Sequence, residues 1–249
     1  MMRICCFLVL NGWFANGFPD SSSDEASSFR MMSSIADNPA LLEQLKSISR
    51  VYCEAEGGAH GPDHSLRVLH NATTIGRLMG GRLDVLVPAA LLHDIGRKDE
   101  SQSFGQICHA QRGAELAAPL LDKLGYTPVA IEAICHCIRT HRYRDNKQPQ
   151  SLEAKILFDA DKLDSIGAIG IGRAFLFAGQ IGARLHNPEV DPFATLPYSL
   201  DDTAYREFVV KMSAIRKQML TSAGRKMAEQ RHAFMHTFFE QLTREVTNL

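Results

Sequence analysis

The chain has 249 residues, 45% of them hydrophobic and 22% charged, with a formal net charge of -1 and a pI near 6.8. That length suits one large domain or two small ones and is ample for a real core. The balanced charge excludes a global basic field, so neither nucleic acid nor an anionic membrane is an expected partner.

Met1-Met2-Arg3 and the apolar run Ile4 to Leu10 resemble the start of a signal peptide, but Asn11-Gly12 interrupts the run and no A-x-A site follows. The run is too short to span a bilayer, so no stable membrane association is expected. Asp20 to Ser28 is Ser/Asp-rich and reads as a linker, and Met31-Met32 stands just before the first helical pattern. A non-core extension or a mis-assigned start is preferred to a signal peptide, and a signal peptide to an anchor. Residues 1–34 are therefore set apart, as poorly ordered, from a domain over 35–249.

Leu41, Leu42, Leu45, Ile48 and Val51 follow helical spacing from Pro39 until Gly57-Gly58. Asp63 suits the cap of a second helix, which carries Leu66, Leu69 and Ile75 and closes at Gly80-Gly81. A third helix, about Asp84 through Gly96, is apolar on most sides, as a central helix must be. His93 and Asp94 lie near its C-terminal end. A charged loop, Arg97 to Ser103, leads to a helix from about Cys108 to Leu124, and Thr127-Pro128 starts the next, which leaves at Thr140-His141-Arg142-Tyr143-Arg144.

Leu152 to Gly179 reads as one long stretch centred on Phe158 to Asp164. Its glycines, among them Gly167, Gly170 and Gly172, suit close helix contact better than a phosphate loop. A Pro-bearing loop, His186 to Leu200, precedes two amphipathic helices, about Asp201 to Leu220 and Ser222 to Val246. No strand-period segment and no internal repeat occurs. The expected fold is all-α.

The six cysteines, Cys5, Cys6, Cys53, Cys108, Cys135 and Cys137, form no C-x-x-C pair and no disulfide framework. A reducing, cytoplasmic setting follows. Cys135 and Cys137 flank His136, but alternate residues on a helix point apart, so both read as core fillers. His60 and His70 read as a loop and a surface histidine, and the Phe and Met residues of the last helix as packing.

His93-Asp94 sits inside the apolar run Leu91 to Ile95, where two unpaired polar groups would each cost several kcal/mol, roughly. A divalent metal compensates both, because imidazole nitrogen and carboxylate oxygen are first-row metal ligands. His64 and the acids around Asp161 supply further candidates. Asp161 and Asp164 lie one helical turn apart and share a face, while Asp159 points elsewhere. Three acids this close repel one another unless cations neutralise them. A metal held by His64, His93, Asp94 and one of these acids accounts for all four placements.

Together, Asp63-His64-Ser65-Leu66-Arg67-Val68, His93-Asp94-Ile95-Gly96 and Asp159-Ala160-Asp161-Lys162-Leu163-Asp164 resemble the HD-domain metal-dependent phosphohydrolases. The similarity is to the small bacterial HD hydrolases whose D-A-D-[KR]-L motif runs into I-G-A-I-G, here Ile166 to Gly170, and it covers about Ile35 to the C-terminus. It implies an HD-type helical bundle with added C-terminal helices. It further implies a metal on His64, His93, Asp94 and Asp161, and hydrolysis of a phosphate ester or anhydride. In this subgroup the implied substrate is a nucleotide, cleaved to monophosphate and pyrophosphate.

Open positions on such a metal let a metal-activated water attack phosphorus, with Asp94 among the catalytic groups. Lys162, Arg67 and Arg97 are the expected substrate cations, Lys162 first, with Lys98 also near in sequence. Arg142 and Arg144 suit a solvated loop pair. His136 and His141 are expected to contact phosphate or protonate the leaving oxygen, in preference to binding a second metal. His109 falls where binuclear relatives carry an extra ligand, although the subgroup does not require it. Asp159 and Asp164 either support the ligands or pair with Lys155 and Lys162. Mn²⁺, Mg²⁺, Co²⁺ and Fe²⁺ all suit this ligand set, and a homodimer is compatible with it. The rival readings are a binuclear phosphodiesterase or oxygenase, and a nucleotide sensor without turnover.

Overall fold

The computed structural model describes residues 38–54, 61–142 and 148–247. The extension over 1–34 with Cys5 and Cys6, Gly57-Gly58, His60, Tyr143 and Arg144 lie outside the described residues. The described residues are helical with no strand, an all-α fold.

Local chemistry sets most helix ends. α1 (Pro39–Cys53) starts where Asn38 Oδ1 accepts the Leu41 N–H at 3.1 Å, a side-chain cap for an otherwise orphaned donor. α2 (Pro62–Met79) begins with a proline and ends on Gly80 in the left-handed conformation, φ 73°. α3 (Leu83–Leu92) is buried at every residue from Val85 to Leu92. It packs against α1, α2, α6 and α7 and forms the axis of the bundle. The polypeptide turns at His93 to Gly96 instead of continuing the helix.

Arg97 to Gln102, expected as loop, forms a short helix, α4 (Arg97–Gln102), with Asp99 and Glu100 in its first turn, where negative charge suits the helix dipole. α5 (His109–Lys123) follows, and α6 (Pro128–Thr140) is capped by Thr127, whose hydroxyl accepts the Ala130 N–H at 3.3 Å. The stretch expected as one helix from Leu152 to Gly179 is two, α7 (Leu152–Leu163) and α8 (Gly167–Gln180). Ile166 is extended and Gly167 takes φ 74°, so the chain reverses there. Gly170 permits the reversal, because a Cβ would come within 2.5 Å of the Ser165 carbonyl oxygen.

The next helix is irregular. α9 starts at Ala204–Glu207, passes through a π segment at Phe208–Met212, resumes at Ser213–Ile215 and ends in a 3₁₀ turn at Arg216–Gln218. α10 (Ser222–Thr247) then lies against α2, α7 and α8. Asp159 fixes its approach. Its buried carboxylate accepts the Leu220 and Thr221 N–H groups, both at 2.8 Å, and the Thr221 hydroxyl at 2.7 Å. Asp159 thus joins α7 to the C-terminal helices and makes no pair with Lys155 or Lys162, correcting one alternative read from the sequence.

Candidate metal centre

Four elements converge below the C-terminal end of α3. His64, in the first turn of α2, is buried, and its Nδ1 lies 2.7 Å from Asp164 Oδ2. A carboxylate only accepts, so Nδ1 donates and the Nε2 lone pair faces inward. His93 is fixed by the same logic, with its Nδ1 donating to the Ala90 carbonyl at 2.7 Å. The two Nε2 atoms then meet at 3.2 Å. Asp94 Oδ2 lies 3.5 Å from each of them. Asp161 Oδ1 stands 3.4 Å from His64 Nε2 and 4.0 Å from His93 Nε2. Two facing lone pairs and two carboxylates repel one another unless a cation lies between them.

The titration behaviour agrees. Burial opposes charge on His64, but hydrogen bonds to Asp161 and Asp164 and the charge of Asp94 outweigh it and raise its pKa to about 9. In the metal-free protein a proton on His64 therefore supplies the missing positive charge. His93 is lowered, chiefly by burial, and stays neutral beside it. Asp94 is held well below the usual carboxylate range: burial raises it, and the neighbouring His93 ring, Arg97 and His64 more than compensate.

Asp94 also faces a second histidine pair. Its Oδ1 is buried without a hydrogen-bond partner, 3.4 Å from His109 Nε2 and 3.6 Å from His141 Nε2. These two nitrogens are 3.2 Å apart. His141 Nδ1 donates to the Ile138 carbonyl at 2.7 Å. His109 Nδ1 lies 2.6 Å from Glu100 Oε2, while Arg142 Nη1 is 2.6 Å from Glu100 Oε1 and 2.8 Å from that same Nδ1. An orphaned carboxylate oxygen among imidazole lone pairs is the donor set of a divalent first-row cation. Two groups, His64–His93–Asp161 and His93–Asp94–His141, have all their ligand atoms within 4.8 Å of one another.

These positions correct two expectations. His141 has its proton committed at Nδ1, and burial with His93 and His109 nearby holds its pKa well below the usual value. It offers a lone pair and no proton, so it suits a ligand and not a general acid. His136 is not brought to the cluster. It lines a groove with Arg82, Val85 and Glu153 at the opposite end of α3, where its Nε2 accepts the Gln150 N–H at 3.2 Å. Five residues of helix rotate it away from the face that ends in His141.

His109, left out of the expected ligand set, is inside. The signal was spatial: a Cβ on Gly96 would overlap the His109 carbonyl oxygen and sit 2.6 Å from the Gly113 nitrogen. Two glycines let α5 approach the His-Asp turn closely enough to deliver His109.

The expected cations are engaged. Lys162 Nζ lies 3.2 Å from Asp161 Oδ2 and 5.3 Å from the centre of the Phe158 ring. Burial would raise Asp161, but Lys162 and His64 hold it well below the carboxylate range. Arg97 Nε donates to Asp94 Oδ2 at 2.5 Å. Arg67 grips Asp164 through Nε at 2.6 Å and Nη2 at 3.0 Å, and Arg173 Nη1 adds a third contact at 2.8 Å. Arg67 thus acts on the cluster through Asp164 and His64, while its side chain stays 34% exposed. Asp164 backs the candidate ligand His64 from behind, the arrangement that fixes tautomer and ring orientation in metal-bound histidines.

The model of the HD domain matches residues 62–166, the span from the start of α2 to the turn after Asp164. YpgQ of Bacillus subtilis is 30% identical over 219 residues, covering 83% of this chain and 94% of that protein. Its crystal structure in complex with ADP superposes with a TM-score of 0.64 at 28% identity, covering 82% of this chain and 97% of that one. An HD-superfamily hydrolase from Bacillus thuringiensis gives a TM-score of 0.66 at 26% identity, over 84% and 97% of the two chains. Ribonuclease Y of Chloroflexus aurantiacus is 31% identical over 119 residues, only 21% of its own length and 48% of this chain. The chain belongs to the HD-domain superfamily of metal-dependent hydrolases.

Proposed function

We propose that this hydrolase cleaves a nucleoside triphosphate to the monophosphate and pyrophosphate at the His64–His93–Asp94–Asp161 centre. The observation that supports it most is this ligand-ready cluster, framed by Lys162 and Arg97, in a chain alike over most of its length to a protein crystallised with ADP. His64, His93, Asp94 and Asp161 would hold a divalent ion, and Mn²⁺, Mg²⁺, Co²⁺ or Fe²⁺ fits this nitrogen and oxygen set. When bound, such an ion lowers the pKa of water and offsets phosphoryl charge.

The chain's own groups do the rest. Asp164 fixes the His64 tautomer. Asp94, kept ionised, presents Oδ1 to the proton of the attacking water. Water oxygen bonds to the α-phosphorus as the bond to the bridging oxygen breaks and pyrophosphate departs. Lys162 and the remaining N–H groups of Arg97 balance charge on the phosphates.

The test is a panel of nucleoside triphosphates, dinucleotides, phosphomonoesters and a short RNA with each of the four metals, with products identified. Nucleoside monophosphate and pyrophosphate in equal amounts are expected. Orthophosphate alone overturns the cleaved bond. Nucleotide binding without turnover favours a sensor, and cleavage of the RNA alone favours the chemistry named for the partial relative.

A binuclear centre is the second reading, supported by the orphaned Asp94 Oδ1 between His109 and His141. Two metals per chain, falling to one in both His109→Ala and His141→Ala, would establish it. One metal in the wild type refutes it.

A further inference from the structure

His64, His93 and His141 each have the Nδ1 proton placed by one acceptor: Asp164, the Ala90 carbonyl and the Ile138 carbonyl. His109 differs. Its Nδ1 stands between an acceptor and a donor, 2.6 Å from Glu100 Oε2 and 2.8 Å from Arg142 Nη1. A guanidinium only donates, so the neighbour that prevails sets the tautomer. Glu100 puts the proton on Nδ1 and leaves the Nε2 lone pair facing His141 Nε2 at 3.2 Å and Asp94 Oδ1 at 3.4 Å. Arg142 would put the proton on Nε2. The carboxylate also takes the guanidinium, since Arg142 Nη1 lies 2.6 Å from Glu100 Oε1. One side chain thus receives the ring proton on one oxygen and the competing donor on the other.

The backbone holds Glu100 in place. Its carbonyl accepts the Gly105 N–H at 2.9 Å and the Ser103 hydroxyl at 3.0 Å. To bring Gly105 back, Phe104 and Gly105 both take left-handed conformations, φ 53° and 81°, uncommon for a bulky residue such as Phe104. Phe104 is 96% exposed, so packing of its ring does not offset the strain. The return of the chain onto Glu100 does. Asp99, the neighbour of Glu100 on α4, is bound to α5 by Arg112 Nε at 2.5 Å. The arrangement repeats that behind His64, where Arg67 holds Asp164 and Asp164 holds the ring. One set serves the histidines at Asp94 Oδ2 and the other those at Oδ1.

We infer that Glu100 is the positioning residue of His109: it holds the ring proton on Nδ1 against Arg142, so that Nε2 is available to a second cation beside His141 and Asp94 Oδ1. The inference rests on the binuclear reading above. It has two consequences. Glu100 serves the second ion and Asp164 the first, because each carboxylate backs a different histidine. Without Glu100, Arg142 remains at Nδ1 as a pure donor, and the proton of the neutral ring moves to Nε2, onto the ligand position. Arg142 therefore supports the centre while Glu100 is present and opposes it once Glu100 is removed.

The experiment titrates the EDTA-treated protein with Mn²⁺ in a calorimeter. Glu100→Ala is expected to weaken the second ion about 10–100-fold and the first by less than about twofold, the reverse of Asp164→Asn. Adding Arg142→Met removes the competing donor and is expected to recover part of that loss, about threefold or more, whereas a merely structural defect would deepen. Equal weakening of both ions in Glu100→Ala, or a double variant weaker than the single one, overturns the inference. If Glu100→Ala does not fold, the double variant is compared with Arg142→Met, and equal second-ion affinity in those two overturns it. ¹⁵N NMR of the metal-free protein reads the tautomer of His109 directly, its signal assigned from His109→Gln. Nδ1–H in the wild type and Nε2–H in Glu100→Ala are expected, and the same tautomer in both overturns the inference. If the wild type binds one ion only, the binuclear reading fails by itself, and the NMR comparison alone decides whether Glu100 positions the ring.

Discussion

Replacing Asp164 by Asn tests whether the centre depends on a residue that does not itself point into it. The carboxylate accepts His64 Nδ1 at 2.7 Å, Arg67 at 2.6 and 3.0 Å, and Arg173 at 2.8 Å. An amide keeps the shape and one acceptor but removes the charge and turns its other end into a donor facing a guanidinium. Losing charge-assisted hydrogen bonds of this kind costs about 1.5–3 kcal/mol each when buried. Arg67 is a third exposed and water replaces much of its share, so about 2–3 kcal/mol in total is expected. For a chain of this size that lowers Tm by roughly 5–10 °C. Because His64 also loses the partner that fixes its tautomer, metal affinity should fall about 10–100-fold. Calorimetric titration of the EDTA-treated protein with Mn²⁺, beside circular dichroism melting, measures both. A folded variant that binds Mn²⁺ within twofold of wild type would refute the idea that Asp164 orients His64.

Other outcomes follow from the same geometry. Asp94→Ala and Asp161→Ala are each expected to abolish bound metal and turnover, and full metal content in either would remove that residue from the ligand set. Lys162→Ala should raise KM for a charged phosphate substrate by about tenfold with little change in kcat, as expected for one lost charge contact; unchanged constants would place Lys162 outside the site. Gly96→Ala forces a Cβ into the α5 backbone, which cannot rotate away, so it should cost about 3 kcal/mol and lower Tm by roughly 5–10 °C.

The pH prediction concerns the metal-free protein. The folded-state pKa of His64 is raised from 6.5 to about 9. Its contribution, at most about 3 kcal/mol at 1.36 kcal/mol per unit, is complete below pH 6.5 and lost as pH rises through 9. The wild type minus His64→Gln stability difference in EDTA should shrink over that window. Mn²⁺ affinity of the wild type should rise across it as the competing proton leaves. A pH-independent stability difference would refute the assignment of the proton to His64.

Helix by helix, the apolar spacing and the capping residues fixed most boundaries in advance, because each depends on neighbours within a turn. Thr127 and Gly80 act locally and could be read locally, whereas Asp63, expected as a cap, stands inside the first turn of α2 behind Gly61. The reversal between α7 and α8 could not: Ile166 is extended because Gly170 lets α8 return against Ser165, a contact that spacing does not encode. Arg97 to Gln102 resembled a loop because its charges mask a helix too short to show a period.

At the candidate metal centre, the order and spacing of His64, His93-Asp94 and Asp161 pointed to a candidate ligand set from sequence, since residue type alone limits what can bind a cation, and the fold brings these four side chains together. Histidine roles were a different matter. His136 and His141 are equivalent in type, one on α6 and the other at its C-cap, yet one ends in a distant groove and the other beside Asp94. His109 gained its place through the close approach of Gly96 and Gly113. A sequence determines which atoms a chain can offer and which faces its helices bury. Which nitrogen carries the proton, and which carboxylate oxygen is left without a partner, is decided only when separate helices come within hydrogen-bonding distance.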